Sequence, residues 1–220
     1  MDKLLNRIVW LVILAPAVYL TLVYDQLPEK VALHFDLQGN ADRMGSKSEM
    51  ITTSIFLILM NAAVYLIVTN IYRIDPKKYA IENKSRLRRM GFAVTVFLSL
   101  LLIVIIYSSV KGDLHFGFRL ILAAVGLLFA LMGNYMHNIK PNYFAGIRLP
   151  WTLENEDNWR QTHALAGRLW FAGGLLIAVM CLFLPPAYSF AVFIGIMVII
   201  TLIPCVFSYR LYQQNKKNKA

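Results

Sequence analysis

The chain has 220 residues, of which 58% are hydrophobic and only 15% are charged. A soluble domain carries about 25% charged residues, so this composition excludes an ordinary soluble protein and is typical of a polytopic membrane protein. The formal net charge is +10. Because the basic residues lie in short blocks between apolar runs, they indicate membrane topology and attraction to anionic lipid heads rather than direct binding of nucleic acid.

Six apolar runs are long enough to cross about 30 Å of hydrocarbon. No Asp, Glu, Lys or Arg lies well inside any run, apart from Arg119 at one edge. The first run is interpreted as an uncleaved helix bent at Pro16, because no small-x-small cleavage site follows Tyr24. We therefore predict an all-α polytopic membrane protein, a single integral domain over 1–220, with spans near 8–24, 51–72, 90–110, 118–136, 169–184 and 189–209.

The positive charge predicts the orientation of these spans. Alternating the six spans places 17 of the 22 Lys and Arg residues on one side. Lys and Arg accumulate on the cytoplasmic side of membrane proteins. We therefore predict that both termini and residues 73–89 and 137–168 are cytoplasmic, whereas residues 25–50 form an extracytoplasmic loop.

The extracytoplasmic loop contains a pattern typical of a strand. Apolar and polar residues alternate from position 31 to position 38, and Gly39–Asn40 supplies a turn. We expect an ordered loop in which Phe35 and Leu37 pack against the helices while Gln38 is exposed.

The long polar segment before the fifth span predicts extended chain followed by a helix. Pro141 and Pro150 disfavour helix in the residues before them. Thr152 is predicted to be the N-cap of the helix, with Glu154, Glu156 and Asp157 in its first turn, where carboxylates favour the helix dipole.

One face of that helix carries Trp159, His163, Ala166 or Gly167, and Trp170 at helical spacing. Glycines permit close helix packing in membranes. We therefore expect the fifth span to approach the fourth closely, through two sets of small residues: Gly167, Gly173 and Gly174 on the fifth, and Gly126, Ala130 and Gly133 on the fourth.

The stretch between the prolines lacks helical hydrogen-bond partners, and an unpaired buried amide costs about 1–3 kcal/mol. Asn142, Arg148 and Thr152 are the side chains placed to satisfy it, and for Arg148 both a structural clamp and a contact with a partner remain open. Trp151 and Trp159 are expected to seat the helix at headgroup depth.

Catalytic and metal-binding motifs are scarce in this sequence. It contains no HExxH, GxSxG, Walker or CxxC motif. His34, Asp36 and Asp42, or His137, His163 and Glu154, lack a recognised ligand spacing, so we expect neither a metal nor a cofactor. We expect His34 and His163 to hydrogen-bond loop backbone, and Cys181 and Cys205 to remain unbridged.

Two stretches together resemble the SdpI family of bacterial membrane proteins, which is named for immunity to the sporulation-delaying protein toxin. The first stretch is GNYMHNIKPNYFAGIRLPWTLENEDNWRQTHALAG over residues 133–167, which resembles the signature of that family. The second is PEKVALHFDLQGNAD in the outer loop, followed by Lys47.

The resemblance implies a non-enzymatic immunity protein in the bacterial plasma membrane that shields its own cell from a secreted membrane-active toxin. It also implies a signal receptor that sequesters a transcriptional repressor at the membrane. The implied partners are therefore membrane lipid, a toxin peptide outside and a repressor inside. The motif positions carried over are His34, Phe35, Gly39, Asp42 and Lys47 outside, and Asn134, Pro141, Asn142, Gly146, Arg148, Pro150, Trp151, Thr152, Trp159, Thr162 and His163 inside.

Two other functions remain open from the sequence. A transporter or flippase-like protein would carry a hydrophobic peptide or lipid. Spans without charged residues permit such cargo, although they argue against ion coupling. An interfacial membrane enzyme would use His163, Arg148 and Glu154, but no arrangement of these three residues fits a known spacing rule.

Overall fold

A computed structural model describes residues 2–36 and 39–218 of the chain. The helices are α1 (Asp2–Val23), α2 (Lys47–Asn70), α3 (Ala80–Lys111), α4 (His115–Met136), α5 (Pro150–Glu154), α6 (Glu156–Phe183) and α7 (Pro186–Lys217), and the strands are β1 (Lys30–Phe35) and β2 (Ala41–Ser46). Short 3-10 turns follow α1 at Tyr24–Gln26 and α2 at Ile71–Arg73.

The predicted number of spans is confirmed, since six helices in the described part of the chain are long and apolar enough to cross a membrane. Several of these helices extend beyond the predicted apolar runs. α3 begins ten residues before its run and α7 continues to Lys217. α6 is continuous from Glu156 to Phe183, so the polar helix and the fifth span are one element.

The long helices form two groups of three. Helices α1, α2 and α3 pack together, as do α4, α6 and α7, and the contact between α3 and α4 joins the groups. The α4–α6 contact is the most extensive, as the small residues predict. A Cβ added at Gly133 of α4 would lie 2.5 Å from the backbone nitrogen of Phe171 and 2.7 Å from the carbonyl oxygen of Gly167, so the two backbones touch.

The outer loop is an antiparallel hairpin of β1 and β2, which we call the hairpin, paired from Lys30 with Ser46 to Phe35 with Ala41. The predicted strand and turn are confirmed, and Gly39 has the positive φ of 88° that the turn needs. Burial does not alternate strictly, because Val31 and Ala32 are both buried and the ladder is irregular between Ala32 and Phe35. The predictions for Leu37 and Gln38 concern positions outside the described residues.

Hydrogen bonds join the hairpin to the helix bundle. The Ser109 hydroxyl of α3 lies 2.6 Å from the Ala32 carbonyl oxygen. The backbone N–H of Leu114, directly before α4, donates to the Gly39 carbonyl at 2.8 Å. An apolar cluster that includes Val31, Met50 and Ile106 lies beneath. The hairpin is therefore an ordered cap over this end of the bundle, which we call the hairpin end.

Candidate functional site

The polar segment at the opposite end, which we call the signature end, leaves α4 at Met136 and reaches α5 without regular secondary structure. Asn142 organises this connection and is 1% exposed. Its amide nitrogen donates to the carbonyls of Lys140 and Ala145, and its Oδ1 accepts from the N–H groups of Phe144 and Ala145 at 2.9 and 2.7 Å. All four bonds that an amide side chain makes most readily are thus used to fold the connection.

Thr152 performs the same task further along, but it is not the predicted N-cap. Its hydroxyl accepts from the Leu149 N–H at 2.9 Å and lies 2.9 Å from the Ile147 carbonyl oxygen. Pro150 starts the separate one-turn helix α5 around it, and the chain leaves helical geometry at Asn155. Asn155 is therefore the N-cap of α6 and accepts from the Asn158 N–H at 2.9 Å.

His163 joins the connection to α6. Its Nε2 accepts the Ile147 N–H at 2.9 Å, and its Nδ1 lies 2.8 Å from the Trp159 carbonyl oxygen. A backbone N–H can only donate and a carbonyl can only accept, so Nδ1 carries the hydrogen and the imidazole is neutral. The prediction that His163 bonds backbone is confirmed.

Gly146 makes this arrangement possible. Its φ is 106°, in the left-handed region that side chains rarely adopt, and an added Cβ would collide with the His163 ring. The glycine therefore brings the Ile147 amide onto the imidazole.

Trp159 is buried rather than at lipid headgroups, so that prediction is wrong. It is 1% exposed, stacks on His163 with ring centroids 3.9 Å apart, and donates from Nε1 to the Ile139 carbonyl at 2.8 Å. Trp151 also bonds within the protein. It donates from Nε1 to the Ser208 hydroxyl at 2.9 Å and lies against Tyr209 and Tyr212 of α7.

A buried polar cluster ties this site to α7. Asn158 donates to the Ser208 carbonyl at 2.9 Å, and its Oδ1 accepts from the hydroxyls of Ser208 at 2.6 Å and Thr162 at 3.0 Å. Thr162 was a predicted motif position, whereas Asn158 and Ser208 were missed. The available signals were a polar residue four positions before Thr162 and a lone serine near the end of the last apolar run.

The beginning of α3 completes the site. Asn83, fully buried, donates to the Lys140 carbonyl and accepts the Lys140 N–H, both at 3.0 Å. Lys78 forms an ion pair with Glu156 at 2.8 Å, and the hydrogen bond to this carboxylate raises the pKa of Lys78. Glu156 is therefore engaged in an ion pair within the protein, although its side chain remains 58% exposed.

These contacts surround an open cavity of about 570 Å³, which we call the polar cavity. It lies between the beginning of α3, the end of α4 and the first turns of α6. Its charged and titratable lining is mixed in sign: Arg86, His137, Lys140, Glu156, Asp157 and Arg160.

The remaining predicted positions divide between the two ends. Arg148 is exposed and donates one bond of 2.8 Å to the Tyr143 carbonyl, so it holds backbone with one nitrogen rather than as a fork. Asn134 is exposed on α4 and lies apart from the Asn142 contacts, whereas Pro141 is buried in the connection. Pro150 is the first residue of α5.

The outer motif residues belong to the hairpin. His34 forms an exposed pair with Asp42, with Nδ1 and Oδ1 2.6 Å apart. Among the described residues its partner is therefore a side chain and not the loop backbone that was predicted. Gly39 makes the turn, and Phe35, at the end of β1, is half-buried. Lys47 begins α2 with its ammonium 5.3 Å from the Tyr24 ring centre.

The chemistry of the signature end is that of a scaffold. Both His163 nitrogens are occupied by backbone, so neither is available as a base or a ligand in this geometry. Within residues 2–36 and 39–218, no three His, Cys, Asp or Glu side chains come together as a metal site would need. Cys181 and Cys205 are free thiols.

Comparison with known proteins identifies relatives of both ends. Residues 138–208 match the SdpI/YfhL protein family, and residues 11–61 match the domain of unknown function DUF1648. The chain is 24% identical over 197 residues to the immunity protein SdpI of Bacillus subtilis (strain 168), which covers 88% of each chain. No solved structure matches. The six membrane-capable helices and these matches make this chain a multi-pass bacterial membrane protein that is similar to the SdpI family over the signature end and the last two helices.

Proposed function

We propose that this chain is a non-enzymatic immunity protein that protects the cell producing it from a secreted, membrane-active toxin. The single observation that carries the proposal is its likeness to the Bacillus subtilis immunity protein over nearly the whole of both chains. The occupied nitrogens of His163 support a role without catalysis, because the residue most suited to acid–base chemistry is engaged in folding.

The hairpin is proposed as the surface that meets the toxin outside the cell. It lies at the end with few basic residues, which positive-inside topology assigns to the exterior. Its exposed His34–Asp42 pair offers polar contacts, and its tip is hydrogen-bonded to the residue before α4. A ligand bound to the hairpin would therefore act on α4 through this hydrogen bond.

That helix supports a proposed relay to the cytoplasm. α4 meets the hairpin at one end and leads into the Asn142 connection at the other, and it packs against α6 along its length. We propose that the signature end, with its polar cavity, holds a transcriptional repressor when toxin is present.

The test expresses this gene alone in a toxin-sensitive strain and measures survival on purified toxin. We expect wild type to protect, and Asp42→Asn to reduce protection while leaving the amount of folded protein in the membrane unchanged. Glu29→Gln is the matched control, because it removes one exposed acid just before β1 without touching the His34 pair.

Loss of survival with well-folded wild-type protein would refute immunity. Equal protection by Asp42→Asn and wild type would refute the hairpin as the toxin surface. Protection that disappears when the proton gradient is collapsed would instead support an energised transporter.

A further inference from the structure

An apolar groove opens on the side of the bundle where α1, α3 and α4 meet. It has a volume of about 460 Å³, and Phe92 and Val96 of α3 and Leu131 of α4 line it. Leu131 is 48% exposed within a predicted span, so the groove faces the surrounding lipid. Its two polar lining residues, Arg89 and Tyr135, both lie toward the signature end of their helices.

One nitrogen of the Arg89 guanidinium lies in this groove without a protein partner in the described part of the chain. Its Nε is buried and finds no acceptor among residues 2–36 and 39–218. Two arginines that line the polar cavity at this end do have acceptors, since Arg86 donates to the Glu82 carbonyl and Arg160 to the Asp157 carboxylate. A guanidinium keeps its charge and its five donors under all ordinary conditions, so a buried unpaired Nε requires an acceptor from outside the chain.

The depth of Arg89 indicates which acceptor is available. It directly precedes the apolar run that begins at Met90, so its guanidinium lies at the boundary between hydrocarbon and headgroups. Lipid phosphates occupy that depth. Guanidinium groups pair with phosphate through parallel N–H···O bonds, and basic pockets between spans on the cytoplasmic side bind anionic lipid heads.

We infer that this groove binds one anionic phospholipid, with its phosphate on the Arg89 guanidinium and an acyl chain along Phe92, Val96 and Leu131. The two halves of the groove match the two halves of such a lipid. A free phosphate ion would use only the arginine, and an uncharged lipid only the apolar wall. The site lies at the junction of the two helix groups, so the bound lipid joins them.

The test uses the purified full chain, stripped of lipid by detergent exchange, with thermal unfolding and native mass spectrometry as measurements. We expect dioleoylphosphatidylglycerol to raise the unfolding temperature and to leave one lipid bound. Dioleoylphosphatidylcholine should give less than half of that shift, and glycerol 3-phosphate should give none.

Two variants within the groove and one control outside it locate the binding site. Arg89→Gln should lose at least half of the shift. Arg73→Gln should keep it, because it removes the same charge from the exposed 3-10 turn after α2, outside the groove. Leu131→Trp fills the groove from a lipid-facing position and should also lose the shift, which keeps the test valid if Arg89→Gln fails to fold.

A full shift in Arg89→Gln and Leu131→Trp would overturn the site. A full shift with glycerol 3-phosphate would reduce it to a phosphate site, and an equal shift with phosphatidylcholine would overturn its selectivity for anionic lipid. Equal losses in Arg89→Gln and Arg73→Gln would show a general charge effect and would also overturn it.

Discussion

Replacing Gly133 by Ala tests the backbone contact between α4 and α6. The new methyl carbon would lie 2.5 Å from the Phe171 nitrogen, 2.7 Å from the Gly167 oxygen and 3.0 Å from the Trp170 carbonyl carbon. All three are backbone atoms, which cannot rotate away as a side chain would. Since carbon contacts are optimal near about 3.5–4.0 Å, the helices must separate by roughly 1 Å.

The expected loss follows from two opposing effects. Overpacking a well-packed interface costs about 1–3 kcal/mol, whereas Ala is better than Gly inside a helix by about 0.5–1 kcal/mol. The net destabilisation should therefore lie between zero and about 2.5 kcal/mol, centred near about 1 kcal/mol. For a chain of this size, about 2–4 °C of unfolding temperature corresponds to each kcal/mol, so the central expectation is a decrease of about 2–4 °C.

Gly195→Ala is the matched control, because a Cβ added there meets no atom within 4 Å. Its unfolding temperature should remain the same or rise slightly. Both variants are purified in one detergent, and unfolding is followed with a thiol-reactive dye that reports exposure of the buried Cys181 of α6. If the two variants unfold at the same temperature, the reasoning from backbone contact is refuted.

Three further predictions concern the signature end and the orientation of the chain. Asn142→Asp should destabilise the protein more than Arg148→Lys. The aspartate would set a carboxylate against two carbonyls that accept hydrogen bonds from Asn142, whereas Arg148 makes one exposed bond. A comparison of the two unfolding temperatures checks this order, and the reverse order contradicts it. His163→Leu should lower folded yield, because the buried Ile147 amide loses its acceptor at about 1–3 kcal/mol; an unchanged yield would mean that water replaces the imidazole. On a cysteine-free background, an impermeant thiol reagent should label Glu29→Cys in intact cells but not Arg160→Cys, and labelling of the second would invert the proposed topology.

The helices of this fold could be predicted from the sequence because hydropathy and charge act over whole segments. Twenty apolar residues must find lipid or other apolar surfaces, whatever their order, so the six spans follow from the sequence. β2 was not readable, because ADRMGS neither alternates nor carries strand-forming residues. It pairs because β1 presents an open edge and the turn at Gly39 directs the chain back along it.

The candidate site at the signature end could be predicted from the sequence only in part. The sequence identified Asn142 and Thr152 as groups that bond backbone, since an extended stretch between prolines needs such groups. It named Thr152 as the helix cap, whereas the cap is Asn155, because both residue types are good N-caps and Glu156 and Asp157 follow both. It also placed Trp159 at the lipid headgroups, because an indole, with its apolar ring and one N–H, suits either the membrane interface or a protein interior that offers an acceptor.

The connection centred on Asn142 has a consequence for how this protein tolerates change. In a span the backbone bonds to itself, so one apolar residue replaces another with little effect on the path of the chain. Between Met136 and Pro150 the path instead depends on particular side chains, such as Asn142 and His163, that hydrogen-bond the backbone of the connection. Substitutions should therefore be costly in this connection, most of which lies within the stretch that matches the SdpI/YfhL protein family.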